Sequence, residues 1–186
     1  MAAVIRPVLQ SIVRSALEAT AATDGWIVSN LDEVLYIVAA AGPTADRLLG
    51  RPITNVAGSA TFVIGSGQPV AVSPRGDSDP LGRSVAELTG RRPTSILSVP
   101  CSTGSDVLGA LELVDKAAGD RFSFDDLELV TLLAGIAAAA LVEPDRRPTE
   151  RFSADALADA LRSLALSDPA RFDSVAAVLA ILLEHV

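Results

Sequence analysis

The chain has 186 residues, a net charge of −8 and one lysine, Lys116. Its acidic balance argues against nucleic-acid binding, because that affinity comes largely from clustered Lys and Arg that neutralise phosphates. The longest near-apolar run, residues 130–142, is shorter than the roughly 20 residues needed to span a bilayer, so no membrane partner is expected. A single cysteine, Cys101, excludes an intrachain disulfide and a cysteine metal cluster, which favours a cytoplasmic location.

The first half of the chain alternates helical and extended patterns. Apolar residues recur at helical spacing over residues 4–20, which predicts an amphipathic helix. Two runs rich in Val, Ile, Trp and Tyr, residues 26–30 and 33–41, predict a hairpin. A short helix closed by Gly50, a Gly/Ala-rich segment and a strand over residues 70–73 follow.

A loop rich in Pro, Arg, Gly and Asp covers residues 74–82. Beyond it, Ser84 and Glu87 have the spacing of a capping box, which predicts a short helix that reaches about Thr89. The nearby pair Arg91-Arg92 lies beside a proline, and we interpret it as solvated loop charge rather than a phosphate clamp.

The second half contains two strands, residues 94–101 and 107–116, and a helix that begins near Ser123 and reaches about residue 142. Gly109 lies inside the second strand, where the missing side chain permits close approach of a neighbouring element. The helix is apolar nearly all round, which indicates a second partner surface beyond its own sheet. The element order predicts an α+β domain with a mainly antiparallel sheet.

The predicted domain covers residues 1–142. Residues 143–150 are charged and contain two prolines, which is typical of a linker. Two amphipathic patterns separated at Ser167-Asp168-Pro169 predict a C-terminal helical hairpin over residues 151–186.

Residues 94–142 resemble the second half of a GAF domain, a small sensory fold of phosphodiesterases, phytochromes and bacterial regulators. Residues 56–72 are similar to the GAF helix that ends in a Gly-x-Pro turn before the third strand. The resemblance covers about residues 5–142. It implies a GAF-like, PAS-related antiparallel sheet of five or six strands with helices on its faces.

Many GAF domains of cyclic-nucleotide phosphodiesterases carry an Asn-Lys, Phe, Asp-Glu signature after the central strands. The corresponding residues here are Asp115-Lys116, Phe122 and Asp125-Asp126, so Asp replaces both Asn and Glu. The resemblance implies a salt bridge between Lys116 and Asp125 that ties the loop to the start of the helix. The additional acids disfavour an anionic cyclic nucleotide nearby.

The sequence lacks the residues that enzymatic and cofactor-binding members of the GAF fold use. The only histidine, His185, lies at a helix end, where it is more often a solvated partner of the helix dipole than a ligand. GAF-fold methionine sulfoxide reductases work through several cysteines. A single cysteine cannot both attack the substrate and resolve the resulting intermediate as a disulfide. No catalytic triad, metal cluster or P-loop is recognisable. We therefore predict no enzyme activity, no cofactor and no metal.

Polar side chains interrupt the apolar segments around residues 74–82, where GAF domains often place a lid. An apolar cavity with a few polar groups is typical of a small-molecule site, although solvent-facing sheet positions would give the same pattern. The candidate ligand-binding residues are Ser59, Thr61, Phe62, Ser73, Arg83, Ser95 and Ser98.

Three hypotheses of function remain open. The first is a non-catalytic regulatory module that binds a small uncharged or cationic molecule and signals through its terminal helices, with a separate effector protein as output. The second is a dimerisation or protein-interaction scaffold with a vestigial pocket. An enzyme of unrecognised type is the third. Both leading hypotheses predict a homodimer formed through residues 4–20 and 124–142, because these apolar helices exceed what one sheet can cover.

Overall fold

A computed structural model describes residues 7–31, 34–53, 58–76, 79–117 and 121–142, together with Arg162 and Leu166. The last two are helical and exposed. The predicted linker, and the predicted hairpin apart from these two residues, lie outside the described residues. The elements are α1 (Pro7–Thr20), β1 (Ala22–Leu31), β2 (Val34–Ala41), α2 (Ala45–Leu48), β3 (Pro52–Ile53), α3 (Ser59–Ser66), β4 (Val70–Val72), α4 (Pro80–Thr89), β5 (Ile96–Thr103), β6 (Asp106–Lys116) and α5 (Phe124–Val142).

The strands form one six-stranded sheet in the order β3-β2-β1-β6-β5-β4. Each neighbouring pair is antiparallel. Strand β6 lies between β1 and β5, near the middle of the sheet. The predicted antiparallel sheet of five or six strands is confirmed.

Alternation along β6 divides the core into two layers. Leu111 and Leu113 lie in a cluster with buried residues of α1 and α5, and we call this side of the sheet the helix-pair face. Ala110 and Val114 lie in a second cluster with residues of α2, α3 and α4, and we call this side the three-helix face. The apolar stripe of α1 and the small residues of α5 therefore cover one layer, and the three short helices cover the other.

Gly109 lies where the backbone of β6 closely approaches β1. It pairs with Ser29, and a Cβ atom at this position would lie 2.1 Å from the backbone oxygen of Val28. Because no side chain can occupy that space, glycine is required for the two strands to pair. The predicted close approach at Gly109 is confirmed.

The predicted start of α4 is wrong. The helix begins at Pro80, and Asp79 caps it by accepting hydrogen bonds from the backbone nitrogens of Leu81, at 3.0 Å, and Gly82, at 3.4 Å. Pro80 suits the first helical position because its missing N–H has no partner there in any case. Ser84 is instead a buried residue inside the helix. The capping-box spacing of Ser84 and Glu87 is therefore incidental.

Candidate functional site

The three-helix face has a largely apolar core, and a glutamate of β6 lies within it. The buried apolar residues of this face are Trp26, Val28, Ile37, Ala40, Leu48, Ala60, Val63, Val85, Ile96, Ala110 and Val114. Glu112 lies between Ala110 and Val114 on the same face and is only 2% exposed. A carboxyl group in such surroundings costs free energy unless hydrogen bonds or a proton compensate for the lost water.

Two side chains donate hydrogen bonds to Glu112. The indole Nε1–H of Trp26, on β1, donates to Oε2 at 3.2 Å. The hydroxyl of Ser59, the first residue of α3, donates to Oε1. Burial raises the pKa of Glu112 to about 7, even though both hydrogen bonds act in the opposite direction. The carboxyl group thus lies close to its titration midpoint at neutral pH.

Ser98 lies directly opposite Glu112 on β5. Directly paired residues of an antiparallel sheet project from the same face, so the Ser98 side chain belongs to the three-helix face. Its Oγ atom is buried and has no hydrogen-bond partner among the described residues. We refer to Glu112, Trp26, Ser59 and Ser98 as the Glu112 cluster.

The structure brings together only two of the predicted ligand-binding residues, Ser59 and Ser98, and both belong to the Glu112 cluster. The hydroxyl of Thr61 donates to the backbone oxygen of Gly58 at 2.8 Å. Ser95 is buried, and its Oγ accepts from the backbone nitrogen of Lys116 at 3.0 Å. The hydroxyl groups of Thr61 and Ser95 therefore form hydrogen bonds with the backbone.

The other three predicted residues are more open. Phe62 is 52% exposed on α3. Ser73 is half-buried just beyond β4, and Arg83 is exposed on α4. Ligand binding by any of the seven predicted residues stays a prediction.

Sequence reasoning missed Glu112 and Trp26. The sequence did contain a signal for Glu112: it is the only charged residue between Val107 and Val114, in a segment predicted to be a strand. Alternation along the strand places Glu112 on the same side as Ala110 and Val114. A charged side chain on that side is either exposed to solvent or buried with compensating partners. The sequence alone does not identify which face α3 covers.

A second polar group lies at the end of the sheet and is built around Arg91. Its Nη2 lies 2.6 Å from Oδ2 of Asp24, a fully buried residue of β1. Its Nη1 binds Oδ2 of Asp115, the penultimate residue of β6. The other oxygen of Asp24 accepts from the backbone nitrogen and the hydroxyl of Thr44, at 2.9 and 2.8 Å. The interpretation of Arg91 as solvated loop charge is therefore wrong, because two buried carboxylates need this cation.

The predicted ion pair of Lys116 with Asp125 is also wrong, by one residue. Lys116 Nζ binds Oδ2 of Asp126, and Asp125 is exposed. Asp126 is the third residue of α5, from which a carboxylate reaches back to the helix start. It accepts from the backbone nitrogen of Ser123 at 2.6 Å, and the hydroxyl of Ser123 accepts from the Asp126 nitrogen at 3.1 Å. The reciprocal cap fixes Asp126, rather than Asp125, beneath Lys116.

A surface groove of about 370 Å³ lies away from the Glu112 cluster, between α1 and the segment joining β2 to α2. Both the backbone nitrogen and oxygen of Ala40 bond to the side chain of Gln10 there. The lining residues are Gln10, Arg14, Leu17, Glu18, Ala40, Ala41, Gly42, Ala45 and Asp46. This lining includes none of the predicted ligand-binding residues.

Two further properties concern the described part of the chain. Its His, Cys, Asp and Glu side chains form no group of three or more that could hold a metal ion. None of its helices combines the length and the apolar character needed to cross a membrane.

Several solved structures have the same fold. The second GAF domain of DevS from Mycobacterium smegmatis is 20% identical, with a TM-score of 0.58 over 73% of this chain and 91% of that one. The GAF domain of a phosphoenolpyruvate-protein phosphotransferase from Coxiella burnetii is 19% identical, with a TM-score of 0.59 over 70% and 78%. A type II free methionine-R-sulfoxide reductase from Thermoplasma acidophilum is 16% identical, with a TM-score of 0.59 over 73% and 91%. At these identities the likeness establishes the fold alone.

No curated protein sequence matches the chain. The model of the GAF domain family, however, matches residues 5–141. This range contains α1 to α4, the six-stranded sheet, the Glu112 cluster and α5 except for its last residue. The chain therefore belongs to the GAF domain family.

Proposed function

We propose that the chain is a non-catalytic sensory module that binds a small uncharged or cationic molecule on the three-helix face. GAF domains are generally sensory or ligand-binding regulatory modules. The observation that carries the proposal is the Glu112 cluster, with a buried carboxyl group and an unpartnered Ser98 hydroxyl inside an apolar layer. The lining of a small-molecule pocket usually has this composition, with apolar side chains and a few convergent polar groups.

The chemistry of the cluster favours particular ligands. An ammonium, amidine or amide N–H can donate to Glu112, whereas a phosphate or carboxylate would place a second negative charge beside it. The Ser98 hydroxyl can accept or donate a further hydrogen bond. A ligand in this position would have to displace α3, whose Ser59 binds Glu112.

A structural change caused by ligand binding can be transmitted to the terminal helices through β6. Glu112 lies between Leu111 and Leu113, and these two leucines pack in the cluster that contains α1 and α5. A shift of β6 on one face therefore changes the packing on the other. We propose that α1 and α5 carry the output to a separate effector protein in the cytoplasm.

The absence of catalysis is part of the proposal. The reductase from Thermoplasma acidophilum shares the fold, but a fold by itself does not specify an activity. The only cysteine in the sequence, Cys101, is fully buried, and burial raises its pKa to about 12. Such a thiol is neither accessible nor ionised at neutral pH, which supports a non-catalytic module.

A binding screen tests the proposal. Native mass spectrometry and thermal shift would compare small cationic and uncharged metabolites with anionic ones. We expect hits only in the first two classes, and we expect Glu112→Gln and Ser98→Val to weaken them. Ser105→Val, at an exposed turn residue, is the matched control. Hits that survive both cluster variants, or a screen without any hit, would contradict the proposal.

A second candidate function, a dimerisation scaffold, is favoured by an apolar stripe on α5. Leu132 is 70% exposed, Ile136 56% and Val142 55%, and on α1 Val8 is 57% exposed. Leu132 and Ile136 are one helical turn apart, so they form a continuous surface that a second copy of the chain could cover. We propose that α1 and α5 form this homodimer interface.

Light scattering after size exclusion tests the scaffold. We expect a dimer at micromolar concentration for the unmodified chain and a monomer for Leu132→Glu. Gln68→Glu adds the same charge at an exposed residue beyond α3 and should leave the dimer intact. A monomeric unmodified chain would eliminate this candidate without affecting ligand binding.

A further inference from the structure

The described residues around Glu112 provide hydrogen-bond donors but no close cation. The residues of α3 and β4 include no titratable side chain, and Cys101 of β5 lies in the cluster of the helix-pair face. On β1, Asp24 precedes Trp26 by two residues and is paired with Arg91. The charged groups on the neighbouring short helices are exposed; they are Asp46 and Arg47 on α2, and Arg83 and Glu87 on α4.

The remaining charges of β6 lie near its ends. Asp106 is exposed, Asp115 binds Arg91 and Lys116 binds Asp126. Glu112 therefore has no ion-pair partner among the described residues, and two neutral donors are all that compensate for its lost hydration. This is the arrangement in which burial favours the neutral acid over the carboxylate.

The cluster can also accommodate the neutral form. A protonated carboxyl group has one O–H donor and needs an acceptor for it. Ser98 lies directly opposite Glu112 on the adjacent strand, and its unpartnered hydroxyl can supply such an acceptor after a side-chain rotation. Trp26 and Ser59 can continue to donate to the carboxyl oxygens. Ser98 can therefore partner the neutral acid, because its oxygen can accept the carboxyl O–H, so protonation leaves no buried donor unpaired.

Ionisation has a different consequence, which falls on α3. Ser59, the first residue of this eight-residue helix, links it to Glu112. Ala60 and Val63 are the other α3 residues in the buried core of the three-helix face. Water can hydrate the carboxylate only if this small apolar contact opens. The free energy of a buried charge thus opposes the packing of α3.

We propose that the Glu112 cluster is a proton-sensing site: a proton bound to Glu112 seats α3 on the sheet, and its release to water loosens α3. The titration range of the site follows from burial, which raises the pKa of Glu112 to about 7. The inference does not depend on a small-molecule ligand, because the sensed species is the proton itself. It gives the sensory domain an input within the physiological pH range.

Two spectroscopic titrations of the unmodified chain test the proton site. The carboxyl carbon of Glu112 would be followed by NMR from about pH 5.5 to about pH 8.5, a range in which ordinary carboxyl groups stay ionised. Trp26 is the only tryptophan, so its indole N–H signal is a second reporter of the same cluster. We expect one shared midpoint near pH 7. A Glu112 carboxyl group that is already fully ionised at pH 5.5 would overturn the proposal.

Hydrogen exchange tests the coupling to α3. After correction for intrinsic exchange, we expect the protection of residues 59–66 to fall as pH rises from about 4.5 to the midpoint near 7 and to level off above it. The slope should reach at most about tenfold per pH unit, the limit for linkage to one proton. Protection of α5 should be unchanged. Glu112→Gln should keep α3 protected at high pH, whereas Glu87→Gln, on the same side of the sheet, should behave like the unmodified chain.

The two measurements separate the parts of the proposal. Titration near neutrality with unchanged α3 protection would overturn the coupling. The carboxyl titration needs no variant, so it decides the proton site even if Glu112→Gln fails to fold. A failed metabolite screen would contradict small-molecule binding and leave both pH measurements intact.

Discussion

Arg91 Nη2 lies 2.6 Å from Oδ2 of the fully buried residue Asp24. The same guanidinium binds Asp115 through Nη1, so one side chain from the segment after α4 joins the ends of β1 and β6. Arginine suits this role because its planar group presents several donors in fixed directions. The two carboxylates would otherwise be like charges at the same end of the sheet.

Replacing Arg91 by Met should destabilise the domain. The change keeps most of the aliphatic stem but leaves two buried carboxylates without their cation. Loss of one partner of a fully buried ion pair lowers the free energy of unfolding by about 3–5 kcal/mol. We expect a smaller loss, about 2–3 kcal/mol, because the Arg91 side chain is 41% exposed and partly screened by solvent. Urea unfolding at neutral pH measures the difference. Arg75→Met, at an exposed loop residue, should cost less than about 0.5 kcal/mol, and an equal cost at both positions would contradict the bridging role.

Asp126 and Asp125 form a matched pair of positions for testing the cap of α5. Asp126→Asn weakens the bonds to Lys116 and Ser123, so we expect a loss of about 1–2 kcal/mol. Asp125→Asn removes an exposed charge in the first helical turn and should cost at most about 0.5 kcal/mol. Chemical denaturation at pH 7 distinguishes the two. A larger effect at Asp125 would restore the pairing predicted from the family signature.

The effect of Asp126 should also depend on pH. Partial burial raises the pKa of Asp126, but the bonds from Lys116 and Ser123 outweigh it and lower the pKa below its ordinary value of 3.8. A lowered carboxyl pKa contributes stability that is fully present above the unfolded value and is lost as pH falls through the folded one. The stability gap between the unmodified chain and Asp126→Asn should therefore narrow below about pH 3.8. A gap that stays constant down to pH 2 would contradict this linkage.

The sequence was sufficient for the fold because local patterns and the family resemblance agree. Helical spacing predicted α1, and β-branched runs predicted the paired strands around Gly109. It was less informative where two signals competed. Asp79-Pro80 and Ser84 with Glu87 both have the form of a helix start. In the structure the first is used, because Asp79 caps the helix and Ser84 is buried inside it.

The candidate site was less predictable for a related reason. Ser59 and Ser98 were identified as polar interruptions of apolar segments, and the structure places both beside Glu112. Glu112 itself was overlooked because a charge in a strand ordinarily faces solvent. Its burial results from α3, a helix distant in sequence, that covers this part of the sheet. Tertiary placement of that kind is not encoded in the periodicity of β6.

Gly109 and Gly135 should respond in opposite directions to the same substitution. A Cβ atom at Gly109 would lie 2.1 Å from the backbone oxygen of Val28, whereas one at Gly135 would meet nothing within 4 Å. We expect Gly109→Ala to cost about 2–3 kcal/mol, because β1 and β6 must separate. Gly135→Ala should stabilise α5 by up to about 1 kcal/mol. Thermal and urea unfolding of both variants measure the signs, and a neutral Gly109→Ala would contradict the close approach.

Cys101 should be unreactive in the folded protein. It is fully buried in the helix-pair face, and burial raises its pKa to about 12, although the backbone of Leu111 acts in the opposite direction. At about pH 8 the thiolate fraction is then roughly a thousandfold below that of an ordinary thiol, before access is considered. An aromatic disulfide reagent should modify Cys101 only after unfolding in urea. Ser105→Cys adds a thiol in the exposed turn between β5 and β6 and should react rapidly, with one equivalent, in the folded state. Equally fast reaction of Cys101 in the unmodified chain would show that the helix-pair face opens readily, contrary to its burial beneath α1 and α5.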